Sequence, residues 1–232
     1  MSSNCASGAT ASVNGHVTAL HAFWAWVASE YQRPNPMRGI RRPRPIHPEP
    51  KTISPADFVR LLQHANTRDA ALLCFFADTG ARLGGVVNLQ ITDLDIEHKQ
   101  AIVWEKGGKR RRVYFTSFTA GLLTRWMLTR VSDSDYVFTN QHTGDGLTAS
   151  GIEQVLKRLK KRAGVKGRVN PHAFRHHFAR EYILNGGDVV TLARLLGHEQ
   201  VTTTAAYYAV FSDDELGDLH GRYNPMKRLR SG

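Results

Sequence analysis

The stretch NPHAFRHHFAREYILNGGDVVTLARLLGHEQVTTTAAYY, Asn170 to Tyr208, decides how the rest of the chain is read. Its spacing predicts three short helices, about His172 to Leu184, Asp188 to Leu196 and Thr202 to Tyr208. His172 and Arg175 stand three apart, which puts them on one face of one helix. His198 follows Gly197, and two adjacent tyrosines, Tyr207 and Tyr208, close the segment. Guanidinium, imidazole and phenol together form a group set that holds a phosphate and attacks it. Arginine binds phosphate with a planar fork that stays charged. A phenol with an ordinary pKa near ~10 becomes a nucleophile when cations and a base surround it.

The composition fits an anionic partner. The 232 residues include 31 Lys+Arg against 20 Asp+Glu, a formal net charge of +11, with 41% hydrophobic residues. That apolar fraction supports a packed core and argues against a disordered chain. The basic residues come in runs, which points to a polyanion, nucleic acid above all. The two cysteines, Cys5 and Cys74, imply no disulfide framework and favour a reducing, cytoplasmic setting. The longest apolar run, Ala70 to Ala77, is far short of a membrane span, so no membrane partner is expected.

Working outward, residues 1–50 read as a tail, a helix and a linker, and 51–232 as a compact domain. Residues 1 to about 12 are small and polar and are expected to be disordered. Val17, Leu20, Phe23, Trp24 and Val27 give one apolar face to a helix from about Asn14 to Tyr31. The linker Arg33 to Pro50 holds six prolines and the cations Arg38, Arg41, Arg42 and Arg44. It predicts an extended cationic strap suited to a phosphate backbone, with a plain solvated linker as the alternative.

In the compact domain Ser54-Pro55 starts a helix that runs to about Ala65. A second helix, about Arg68 to Asp78, is apolar nearly all round and is expected at the centre of the core. Thr79-Gly80 ends it, and a short helix from Arg82 to about Leu89 follows. Ala101 to Trp104 and Arg110 to Phe115 predict two strands joined by the turn EKGGK. Tyr136 to Phe138 is a candidate third strand. Further helices are expected at about Phe118 to Thr129, Ala149 to Ala163 and Asp213 to Arg222. The Ala149–Ala163 helix sets Ile152, Val155, Leu156 and Leu159 against a basic side of Lys157, Lys160 and Lys161, a natural backbone-contact face. The fold class is therefore mainly α with a small antiparallel β-sheet (α+β).

Four short blocks carry a resemblance. TGARLGGVVNLQITDLD resembles the first arginine box of tyrosine recombinases, the family of phage integrases and Xer-type enzymes. EKGGKRRRVYF resembles the β-hairpin that carries the family's lysine. PHAFRHHFA resembles its His-x-x-Arg box, and LLGHEQVTTTAAYY its final box. The match spans about Ser54 to the last helix. It implies the catalytic fold of DNA breaking and rejoining enzymes, with catalytic residues Arg82, Lys106, His172, Arg175, His198 and Tyr207. Tyr207, nine residues after His198, is the implied nucleophile, and Tyr208 takes the next, non-catalytic place. The implied reaction is attack of Tyr207 on a scissile DNA phosphate, leaving a 3′-phosphotyrosyl link and a 5′-hydroxyl. Arg82 and Arg175 would hold the non-bridging oxygens and Lys106 would protonate the leaving oxygen. His172 would serve the tyrosine proton and His198 would hydrogen-bond the phosphate. No cofactor, ATP or metal is implied, and synapsis implies a homo-tetramer on paired sites. Arg41, Arg42, Arg44, Lys109, Arg110, Lys157, Lys160 and Lys161 are the candidate DNA-binding cations. His176 and His177 fall to packing or surface roles.

Two departures from the family pattern stand out. Relatives usually carry an acidic residue three positions after the first arginine, where this chain has Gly85. The helix Asn14 to Tyr31 and its linker resemble only the last helix and connector of the family's N-terminal core-binding domain, so that domain is expected to be truncated. These departures keep a catalytically impaired DNA-binding relative in view. A type IB topoisomerase shares the chemistry and is a second alternative. A metal hydrolase using His172, His176 and His198 has the helical spacing for two ligands but lacks the glutamate base that would follow the first histidine.

Overall fold

The computed structural model describes residues 3–40, 52–105, 107–198 and 213–223. The chain divides into two compact units, Met1–Glu49 and Pro50–Gly232.

The first unit is one long helix, α1 (Ser3–Tyr31), and a short turn. The helix starts well before Asn14, which corrects the expectation of a disordered leader. Its first three turns hold Ala6, Ala9 and Ala11 and no proline, so only Gly8 weighs strongly against helical backbone there. Leu20, Phe23 and Trp26 are exposed on it. Beyond Tyr31 the chain reverses through Asn35, whose side-chain oxygen accepts from the Met37 N–H at 2.8 Å. His21 Nε2 lies 2.9 Å from the Ile40 carbonyl oxygen.

The second unit is built round α3 (Thr67–Thr79), packed against α5 (Ser117–Thr129) on one side and α7 (Pro171–Leu184) on the other. The apolar sequence LLCFFA makes α3 buried on most faces, with Leu72, Leu73, Phe75 and Phe76 wholly buried. Phe76 stacks on Phe174 of α7, and Phe75 meets Phe115 and Phe138. Cys74 is buried here, and burial pushes its thiol up to about 12, which keeps it protonated. Capping is local and legible: Ser54, Asn66, Thr116, Thr148 and Asn170 each accept from the backbone N–H three residues on.

Helix α2 (Pro55–Gln63) precedes α3, and α4 (Leu83–Val87) follows it. The sheet has three antiparallel strands in the order β1 (Leu94–Asp95), β2 (Gln100–Trp104), β3 (Arg110–Tyr114). Ala101 pairs with Val113 and Val103 with Arg111, so Ala101, Val103 and Val113 face the core. The third strand is Leu94–Asp95 and not Tyr136–Phe138. The latter stretch forms a single bridge, Gln90 with Tyr136, while Val137 and Phe138 are buried as loop residues.

Helix α6 (Ala149–Arg162) buries Ile152, Val155, Leu156 and Leu159, as its periodicity predicts. Helices α7 and α8 (Val189–Leu196) share a smaller apolar cluster of Ala179, Ile183, Leu192 and Leu196. The last described helix, α9 (Asp213–Tyr223), is tied to α7 by an Arg180–Glu215 ion pair and by Arg222 Nη1 donating to the Leu184 carbonyl at 2.6 Å. The expected helix at Thr202 to Tyr208 lies outside the described residues. No described helix is long and apolar enough to cross a membrane.

Candidate active site

Arg175 is the pivot of the site. It points inward from α7 and is only 4% exposed. Two helix ends meet its charge. Nη1 donates to the Gly80 carbonyl at the end of α3 (2.7 Å), and Nη2 to the Leu196 carbonyl at the end of α8 (2.5 Å). Both helices end with their partial negative charge aimed at the guanidinium. Both endings need a left-handed residue, and both have glycine, Gly80 at φ +57° and Gly197 at φ +66°. A Cβ on Gly80 would sit 2.7 Å from Phe178 Cδ1 and 2.9 Å from Leu196 Cδ2. The sequences T-G and L-G are thus the local reason that two carbonyls converge on one arginine.

His198 comes next in this chain of contacts. Its Nε2 lies 2.8 Å from Arg175 Nη2. A guanidinium only donates, so Nε2 is the lone-pair nitrogen and the ring proton sits on Nδ1. Burial is the main cause that pushes the His198 pKa down to about 4, and the cations Arg175, Arg82 and Arg111 add to it. His198 is a neutral hydrogen-bonding group at physiological pH.

Arg82 enters from the other side. It occupies the N-cap of α4, with extended backbone and no capping hydrogen bond, and 41% of its side chain is exposed. Its Nη1 pairs with Glu105 Oε2 at the end of β2. The other oxygen, Oε1, accepts from Arg111 Nε at 2.9 Å. Arg111 then donates to the Leu195 carbonyl of α8. One carboxylate thereby joins the first arginine, the hairpin and the helix that precedes His198. Burial lowers the Arg111 pKa, and Glu105 opposes that shift.

The remaining sequence candidates fall in three groups. His172 is on α7 one turn before Arg175, but it is exposed where Arg175 is buried. The shared helical face therefore opens outward at His172 and inward at Arg175. Lys106 and Tyr207, like Tyr208, Arg41, Arg42 and Arg44, lie outside the described residues. Lys109 and Arg110 are exposed on the hairpin, and Arg110 stacks on Trp104 at 5.0 Å, opposite it in register. Lys157 and Lys161 are exposed on α6 and Lys160 is half-buried. Lys160 and Lys161 also lie in the last turn of α6, where cations suit the helix end.

His176 and His177 are half-buried, and burial lowers both their pKa values. His177 stacks on Phe58 with its ring 6.1 Å away. Among the described residues no three His, Cys, Asp or Glu side chains cluster as metal ligands would.

Sequence reasoning did not single out Glu105, Arg111 or Gly197. Glu105 did carry a signal. It is the only carboxylate between Glu97 and Asp133, and it directly precedes a run of cations.

Comparison with known proteins identifies the family. The sequence model of the phage integrase family matches residues 51–213. A tyrosine recombinase XerC of Treponema denticola is 31% identical, over 94% of this chain and 78% of its own length. The crystal structure of XerA recombinase superposes with a TM-score of 0.69 at 26% identity, covering 90% of this chain and 84% of XerA. The fold is also that of XerH site-specific recombinase bound to a palindromic difH substrate, with a TM-score of 0.73 at 19% identity over 94% of this chain and 68% of that one. With buried Arg175, Arg82 and His198 gathered by the same helices and hairpin that the sequence blocks predict, the chain belongs to the phage integrase family and carries a Xer-like tyrosine recombinase catalytic domain.

Proposed function

We propose that the protein is a site-specific DNA recombinase that cuts and rejoins duplex DNA through a 3′-phosphotyrosyl intermediate. The observation that carries this reading is the convergence of Arg175 and a neutral His198 on one spot, with Arg82 close enough to shift the His198 pKa. Two guanidiniums and a neutral imidazole suit a phosphodiester, whose non-bridging oxygens carry the charge that grows in the transition state. Arg175 is held before any DNA arrives, so its donors need no reorganisation.

The roles follow from the chemistry. Tyr207 Oη attacks the scissile phosphorus and its proton passes to His172. The bond to the 5′-oxygen breaks, and Lys106 gives that oxygen a proton. Arg82 and Arg175 bind the non-bridging oxygens, and His198 donates from Nδ1. One phosphodiester replaces another, so the bond energy is kept. A 5′-hydroxyl from a second strand reverses the step on a new partner, and no external energy source is needed. Exchange between two duplexes calls for four active sites, so the assembled form is a homo-tetramer on paired sites. The cations Arg41, Arg42, Arg44, Lys109, Arg110, Lys157, Lys160 and Lys161 supply backbone contacts to the DNA. Residues 1–50 act as a tail, helix and strap, and 51–232 as the catalytic domain.

The test is covalent trapping. Host genomic fragments, nicked at random, lose the short strand 3′ of a cut and cannot be resealed. Wild type and Tyr208→Phe form an SDS-resistant adduct, and Tyr207→Phe forms none. Sequencing the trapped ends yields the recognised site. A folded wild-type chain that traps nothing at any DNA concentration overturns the reading.

A further inference from the structure

Gly85 stands where the family resemblance leads one to expect a carboxylate, and the structure is tight there. A Cβ at Gly85 would lie 3.1 Å from Val103 Cβ and 3.5 Å from the Trp104 carbonyl oxygen. Helix α4 packs on β2 closely enough that a side chain there needs Val103 to give by a few tenths of an ångström. Yet Arg82, three residues earlier, does have an acidic partner, and it comes from the other element of that contact. Glu105 reaches it from the end of β2.

The setting of Glu105 is that of a clamp. Its side chain is 10% exposed, and both of its oxygens are used, one on Arg82 and one on Arg111. Its backbone N–H donates to the Lys109 carbonyl at 2.8 Å, which closes the hairpin and fixes where the side chain starts. A Cβ at Gly197 would come within 3.2 Å of Glu105 Oε2, so the carboxylate also lies against the turn that leads into His198. Arg82 is thus gripped at Nη1, while 41% of its side chain remains open to solvent. One carboxylate between two guanidiniums leaves a net positive charge, so phosphate attraction survives the pairing.

We propose that Glu105 is the positioning residue for Arg82 in this chain, supplying from the hairpin the carboxylate that Gly85 cannot. It holds the guanidinium for a non-bridging phosphate oxygen, and it is itself the residue just before Lys106. The proposal rests on the recombinase reading, and its consequence is specific. The Gly85 departure does not disable the chain, because the charge has been moved and not lost.

The experiment compares full-length wild type, Glu105→Gln and Glu105→Asp in single-turnover cleavage of a nicked duplex bearing the recovered site. Each protein meets two substrates, one with the natural scissile phosphate and one with a methylphosphonate there. The methylphosphonate lacks the charged oxygen that Arg82 is held to meet. Glu105→Gln is expected to slow cleavage of the phosphate by about 10²-fold, the scale of an ångström-level misplacement. On the methylphosphonate the loss should largely vanish, as it should for Arg82→Ala. DNA affinity should be nearly unchanged. A purely structural loss would slow both substrates alike, and that result overturns the proposal, as does wild-type speed on the phosphate. If Glu105→Gln does not fold, Glu105→Asp carries the same comparison, since its shorter carboxylate keeps the charge but not the reach. A wild-type chain that cuts neither substrate contradicts the recombinase reading instead.

Discussion

Replacing Arg175 by lysine tests whether the candidate catalytic arginine is also a structural tie. The guanidinium contacts Gly80 O, Leu196 O and His198 Nε2, among others, and is almost fully buried. Lysine keeps the charge but is a single point on a flexible stem, and it cannot span carbonyls from two different helices. At least one charge-assisted hydrogen bond is lost, at about 1.5–3 kcal/mol, and a buried carbonyl is left unpaired. The expected destabilisation is roughly 2–4 kcal/mol. With a urea slope of about 1–3 kcal/mol per molar, the unfolding midpoint should fall by about 1–2 M. Circular dichroism of the DNA-free chain in a urea series measures this. A midpoint within about 0.3 M of wild type, well inside the cost of one such bond, would refute the argument that two helix ends are held together through Arg175.

Two further outcomes follow from the same region. Gly80→Ala places a Cβ in contact with Phe178 and Leu196 at a positive φ, so conformational and packing costs together reach about 2–4 kcal/mol; the melting temperature should drop by about 5–15 °C, and an unchanged melt would contradict the geometry. His198 should titrate with a midpoint of about 4 in the DNA-free chain, read from its ring proton shifts. The unfolded chain takes up this proton near its ordinary 6.5, and the folded chain does not until about 4. Stability contributed at this site is therefore lost as pH falls from 6.5 to about 4. A midpoint at or above 6.5 would remove the neutral, Nδ1-protonated imidazole from the account.

Much of the fold was legible because its signals are local. Ser54-Pro55 marks a helix start by a side chain that caps its own backbone, and the glycine pair between two strand-like runs marks the hairpin. Leu94–Asp95 was not legible, since a two-residue strand has no alternation and exists only because β2 lies beside it. Tyr136–Phe138 misled for the converse reason. Its apolar residues are buried as a loop, where the Val137 carbonyl accepts from Trp126 Nε1 at 2.8 Å. The candidate site shows the same division. The order of Arg82, Arg175 and His198 could be read from short boxes, but their partners could not. Glu105 is 23 residues from Arg82, and Gly80 is 95 from Arg175. The pair of Arg68 and Asp69, buried inside the first turn of α3 and fastened to the Thr139 carbonyl, was hidden likewise.

The Glu105 contact changes how Gly85 is read. From sequence alone, Gly85 reads as loss of a functional carboxylate. In the structure it sits at the close approach of α4 to β2, and Arg82 there meets a different carboxylate. Substitution and compensation belong to one packing arrangement.

The most direct test of the central claim is to identify the residue joined to DNA. Trapped adduct from the nicked site is digested with protease and nuclease, and the nucleotide-bearing peptide is sequenced by mass spectrometry. The account predicts a 3′-phosphate ester on Tyr207, with an unmodified Tyr208 and a free 5′-hydroxyl on the released strand. A nucleotide on Tyr208 or on any other side chain, or a 5′-phosphate linkage, would contradict it.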